Sequence, residues 1–189
     1  MSYKEYAKDY EIEYVERPGK RRPKAVRIYV GPYFRFAALP DRVRFLKRFY
    51  LAGTVLLALL MILPMCLNCP FTRTWYIQVP AALAWVPWIY VAAATWRLCT
   101  AGEKVEREHH DLMGKRMSGA SLFVYLFMAL SSVGCIVMAV QHGVSNLADG
   151  AVFACCVGAA VCGGLLFSKR KELDMVQVDN PEKPHRKKI

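Results

Sequence analysis

The segment 64-PMCLNCPF-71 places Cys66 and Cys69 two residues apart, where a long apolar run gives way to polar sequence. A thiolate at this spacing can attack a disulfide and be resolved by its partner, so thiol exchange is the chemistry that the pair could perform. The competing readings are a structural disulfide closing the turn and two plain thiols at a helix end. Zinc there would need further ligands, and His142 is the only histidine expected on that side, so no closed four-ligand site is read. The other cysteines, Cys99, Cys135, Cys155, Cys156 and Cys162, fall at a helix end or inside apolar runs, where free Cys packs as a small apolar residue.

A second constellation lies in 103-EKVEREHHDLMGKR-116. Read as a helix, this stretch sets Glu106 and His110 at i and i+4 with Asp111 close by, and a carboxylate beside an imidazole could hold a divalent metal. The plainer reading is a solvated connector of mixed charge. The chain has no phosphate-cradling glycine loop, zincin helix or Gly-x-Ser-x-Gly elbow, so no cofactor is assigned and a self-contained enzyme is disfavoured.

The elements that position these residues follow from the segregation of charge. The chain is 55% hydrophobic and 22% charged over 189 residues, an unusual pairing unless the two classes occupy different stretches. Uncharged runs at about 50–68, 75–96, 121–140 and 150–167 are each long enough to cross a hydrocarbon core of roughly 30 Å. The fold expected is an all-α integral membrane protein of four transmembrane helices in two hairpins. Trp75, Tyr76 and Trp96 fall at the ends of the second run, where interfacial aromatics belong. Pro87 within that run predicts a kink and an unpaired carbonyl. None of the runs holds an interior Asp, Glu, Lys or Arg, the residues that mark most transport paths.

Of the 26 Lys and Arg, 13 precede the first run, 5 fall between the second and third, and 7 follow the fourth, leaving Arg73 alone in an odd-numbered connection. By the positive-inside rule both termini and the central loop are cytoplasmic, and the plasma membrane is the expected location. Topology and anionic headgroups thus account for the net charge of +11, with no nucleic-acid role required.

Outside the membrane, residues 1–40 form a cytoplasmic region with a β-hairpin expected over 10–30. Alternation in both arms predicts Tyr10 opposite Val30, Ile12 opposite Ile28 and Tyr14 opposite Val26, with Glu13 facing Arg27 and Glu16 facing Lys24. An isolated hairpin is marginal, so it needs a surface to lie on. Tyr3, Tyr6, Tyr10 and Tyr14 also recur at helical spacing, and a short helix or disorder is expected up to about Lys8. Residues 41–49 read as a basic interfacial helix with Asp41 as its N-cap. Residues 168–189 read as a basic cytoplasmic tail, disordered after about Asp174.

Small residues suggest how the spans associate. Ala154, Gly158 and Cys162 recur every four residues, Gly163 lies on an adjacent stripe, and Ser131 opens a matching series in the third span. Spans three and four are therefore expected to pack tightly.

The layout resembles the quinone-linked membrane proteins of disulfide formation: four spans, both termini inside, a CxxC just after the first span and an arginine, Arg73, four residues beyond its second Cys. Those proteins need a second cysteine pair in the second outer loop, and 141-QHGVSNLAD-149 has none. The expected function is a non-catalytic accessory or scaffold subunit, partnered by the lipid bilayer and by another membrane protein or a second copy of itself. The alternatives are a thiol oxidoreductase using Cys66 and Cys69, and a small-solute transporter with a polar cavity near Pro87, Thr95 and Ser131.

Overall fold

A computed structural model describes residues 6–15, 24–102, 104–144 and 146–178. Among the described residues four helical segments are long and apolar enough to cross a membrane: Pro40–Cys66, Trp75–Thr100, Arg107–His142 and Leu147–Leu173. The first is one uninterrupted helix, α1 (Pro40–Cys66). The second divides into α2 (Trp75–Leu83) and α3 (Trp85–Thr100). The third comprises α4 (Arg107–Asp111), a π-helical turn (Leu112–Arg116) and α5 (Met117–His142). The fourth is α6 (Leu147–Ser168), continued by a 3-10 turn (Lys169–Leu173).

These helices form a ring in which α6 packs on both α1 and α5, while α2 and α3 lean on α5 and α3 closes against α1. Tyr50, Leu57, Leu98, Val124, Met128 and Leu166 fill the interior, whereas Leu51, Val55, Val86, Ile89, Phe123 and Leu130 point outward and exposed. A surface this apolar on every helix is what hydrocarbon solvates and water does not.

Interior polar side chains act as cross-links. The Tyr50 hydroxyl donates to the Leu166 carbonyl (2.9 Å), and Ser131 donates to the Ile77 carbonyl (3.1 Å). Thr54 and Thr95 share a hydrogen bond at 3.0 Å, and the Trp88 indole donates to the Thr54 carbonyl at 3.3 Å.

The interruption expected from Pro87 falls at Ala84, because the proline ring offers no N–H to the Leu83 carbonyl one turn earlier. Residues 41–49 are helical and run without a break into the remainder of α1. Leu39 occupies the N-cap position, displacing Asp41 into the first turn, because Pro40 already supplies a preset φ at N1. At the other end of the bundle α5 stops at Gly143, whose φ of 74° suits glycine. α6 then starts from an Asn146/Asp149 capping box.

The described residues before α1 and after α6 and the connection between the second and third spans gather at one end of the ring, here termed the terminal face. Strand β1 (Tyr10–Val15) pairs antiparallel with β2 (Lys24–Tyr29). A second sheet has the order β4-β3-β5, built from β3 (Tyr33–Phe36), β4 (Val105–Glu106) and β5 (Met175–Val178).

The hairpin forms, but with Tyr10 opposite Tyr29, Glu11 opposite Ile28 and Ile12 opposite Arg27, one residue out of the expected register. The slip brings Tyr10 and Tyr29 edge to face at 5.2 Å and gives up the Glu13–Arg27 pairing. An aromatic pair with docked hydroxyls outweighs an exposed charge pair. Residues 175–178, expected to be disordered, pair along β3. Glu16, the 17–23 turn, residues 1–5 and the remainder of the tail lie outside the described residues.

Candidate functional site

At the far face, α1 ends at Cys66 and the chain turns through a 3-10 segment, Phe71–Arg73. The Thr72 hydroxyl accepts the Cys69 N–H at 3.2 Å and lies 2.9 Å from both the Leu67 and Cys69 carbonyls. The Arg73 guanidinium donates to Asn68 Oδ1 through Nε (3.2 Å) and Nη2 (2.9 Å), tying the turn across its mouth. Cys69 is 3% exposed beneath this turn and Cys66 is exposed. Both thiols are free, so the pair is unequal: one sulfur open to attack, the other shielded next to the Thr72 hydroxyl at 3.8 Å.

Beside the turn lies a cavity of about 650 Å³ whose wall includes Met61, Met65, Cys66, Arg73, Met128 and Cys156. Its volume falls within the range of about 300–1,000 Å³ typical of small-molecule sites, and its lining is mainly apolar with a polar rim. Cys66 faces this space, while Cys69 belongs to the core behind it.

The central connection has a different geometry from the one expected. Glu106 lies in β4 and helix α4 begins only at Arg107, so Glu106 and His110 are not successive turns of one helix. Pairing with Tyr33 holds Glu106 extended, and its carboxylate accepts the Tyr10 hydroxyl at 2.8 Å. His110 stacks on Phe34 with ring centroids 4.2 Å apart. Among the described residues no three His, Cys, Asp or Glu side chains are grouped as a metal site.

The hairpin finds its surface here. Tyr6 donates to Asp111 Oδ2 (3.0 Å), the Arg107 N–H donates to the Tyr29 oxygen (2.9 Å), and Tyr29 donates to the Pro32 carbonyl (2.9 Å). Arg107 also lies 3.9 Å from Asp9, whose Oδ2 is buried. Burial raises the Tyr6, Tyr10 and Tyr29 hydroxyls above the usual tyrosine range; Asp111 adds to the rise at Tyr6 and Glu106 to that at Tyr10. On the opposite flank Arg42 grips Glu172 through Nε (3.0 Å) and Nη2 (2.6 Å), and Lys169 joins at 2.6 Å. Lys47 caps the end of α3 by donating to the Ala101 carbonyl at 2.7 Å.

The small residues divide between two seams. A Cβ on Gly163 would lie 3.1 Å from the Tyr125 nitrogen, so this position is where α6 meets the backbone of α5. Gly158 instead faces Leu60, and the Cys162 thiol lies 3.4 Å from the Gly53 carbonyl, both on α1. Ala154 is exposed. Ser131, expected against the fourth span, bonds to the second, and a Cβ on nearby Gly134 would lie 3.2 Å from the Tyr76 carbonyl oxygen. Pro87, Thr95 and Ser131 turn to different neighbours: Thr95 is bonded to α1, Ser131 to α2, and Pro87 opens on an outer groove.

The tyrosine network was hidden in the sequence, where Tyr6 and Tyr10 carry a helical spacing although their partners are Asp111 and Glu106. Comparison with protein-family models, with curated proteins and with solved structures finds no match to this chain.

Proposed function

We propose that this chain is a non-catalytic multi-pass membrane protein, an accessory or scaffold subunit of a plasma-membrane complex, with both termini and the central loop in the cytoplasm. One observation carries the reading: three segments separated by pairs of spans merge into a single sheet, β4-β3-β5, with the hairpin fastened beside it. A platform held to the bundle by Arg42–Glu172 and by Lys47 is suited to presenting a fixed surface to another protein. Consumption of Thr54, Thr95 and Ser131 in cross-links supports a structural role over a conduction path. Charge distribution supports the orientation.

The test is isolation of the protein from its native membrane in lipid nanodiscs. An assembly of defined stoichiometry, heavier than the 21.4 kDa chain, should dissociate in a Tyr6→Phe/Tyr10→Phe variant and persist in Cys66→Ser. A lone, partnerless 21.4 kDa species would sink the proposal.

The thiol-exchange reading retains one favourable feature, the exposure of Cys66 on the wall of a ligand-sized cavity. It requires that Cys66 and Cys69 cycle between dithiol and disulfide. A serine at either position that leaves the cellular thiol balance unchanged would eliminate it.

A further inference from the structure

The two irregular helices face each other across a groove of about 680 Å³. One side is the broken second span, contributing Leu83, Val86, Pro87 and Tyr90; the other begins in the π turn with Lys115 and Arg116 and continues through Gly119, Phe123 and Phe127. The break at Ala84 and the π turn at Leu112–Arg116 interrupt the regular helices that border the groove. π-helical turns are frequent at functional sites. Val86, Tyr90 and Phe123 are each more than half exposed on the outer surface, so the groove opens toward the surrounding bilayer and not into the bundle.

Its charge is polarised along its length. Lys115 and Arg116 stand at the terminal-face end; Lys115 lies 3.7 Å from Asp111, itself already bonded to Tyr6, and Arg116 forms no ion pair among the described residues. The remaining lining is apolar apart from the Tyr90 hydroxyl. From Arg116 to Phe127 the third span rises about 16 Å at 1.5 Å per residue, which is about half of a 30 Å hydrocarbon core. The groove therefore has the depth of one leaflet, with cations at headgroup level and aromatic and aliphatic walls at acyl depth.

We propose that this groove is a binding site for an anionic glycerophospholipid of the terminal-face leaflet, its phosphate on Lys115 and Arg116 and one acyl chain lying over Gly119 between Phe123 and Val86. Charge complementarity selects this occupant over a neutral lipid or a second protein helix, since a transmembrane partner would bring no phosphate to two exposed cations. Gly119 is the permissive point of the groove: a Cβ there meets nothing within 4 Å, so the space over it is open to a chain.

Native mass spectrometry of the full chain released from nanodiscs of mixed phosphatidylglycerol and phosphatidylcholine provides the test. Phosphatidylglycerol should be retained over phosphatidylcholine, and Lys115→Gln/Arg116→Gln should lower that retention by about fivefold per charge, or roughly 30-fold together. Gly119→Phe should block the acyl path and reduce retention of phosphatidylglycerol while the two charges remain, and its unchanged melting temperature would show that the bundle still folds. An Arg44→Gln/Arg48→Gln control neutralises two other interfacial charges and should leave retention nearly intact. Equal loss in that control would reduce the effect to general surface attraction. No preference between the lipids, or full retention in Gly119→Phe, would overturn the site.

Discussion

Replacing Gly163 by alanine should destabilise the bundle far more than the same change five residues earlier. At Gly163 the new methyl would lie 3.1 Å from the Tyr125 nitrogen, 3.3 Å from its Cα and 3.5 Å from the Ser121 carbonyl oxygen. All three are backbone atoms of α5, so no side-chain rotation relieves the contact, and the helices must separate by a few tenths of an ångström. Small-to-large changes that force such shifts cost about 1–3 kcal/mol. At Gly158 the nearest atom is Leu60 Cδ1 at 3.4 Å, the free end of a flexible side chain, so the added methyl fits within ordinary contact. Its expected effect is within about 0.5 kcal/mol of zero. Reversible unfolding in mixed micelles, followed by the fluorescence of the four tryptophans, measures both variants on one scale. Equal destabilisation by Gly158→Ala and Gly163→Ala would refute the assignment of Gly163 to the close seam and of Gly158 to a yielding one.

The CLNC turn makes a separate prediction: a membrane-impermeant maleimide should label Cys66 in the folded protein and leave Cys69 unlabelled until denaturation, so Cys66→Ser abolishes native labelling from that face. Tyr10→Phe should cost about 1–2 kcal/mol by leaving the Glu106 carboxylate short of a donor, read as faster proteolysis of the hairpin. Because the Tyr10 phenol is raised by burial and by Glu106, its stabilisation is full below the ordinary tyrosine pKa of about 10 and is lost as the pH climbs toward the folded value. Proteolysis of wild type should therefore accelerate only above that pH, and Tyr10→Phe should show a weaker alkaline dependence. Thr54→Val or Thr95→Val alone should cost about 1 kcal/mol or more, and the double variant less than the sum, because it leaves no orphaned hydroxyl; additive losses in a double-mutant cycle would refute the bond between them.

The helices were legible because uncharged runs of bilayer length have few other uses, and Pro87 located its break to within a turn. Hairpin position was equally readable from alternation, but register was not. Two alignments one residue apart differ by which side chains share a face, and the deciding partners, Asp111 and Glu106, lie beyond the second span. Strands β3, β4 and β5 escaped notice because they are short and their pairing is entirely non-local. The small-residue stripes predicted close packing without naming the neighbour, since spacing defines a stripe on a helix and not the direction in which it points. Ser131 therefore turned to the second span, and Gly158 and Cys162 to the first.

The sheet β4-β3-β5 also imposes an order on biogenesis. Its first strand is synthesised before any span, its second after two, and its third only after four, yet Tyr33 must meet Glu106 on one side and Val178 on the other. In the proposed four-span topology each meeting demands that an even number of crossings intervene, so a single span that fails to insert strands one partner across the bilayer. Until β5 arrives, one edge of β3 stays open as a ready template for pairing with other chains. In that topology closure of this small sheet works as a parity check on insertion, and an unclosed edge marks the chains in which a single crossing was lost.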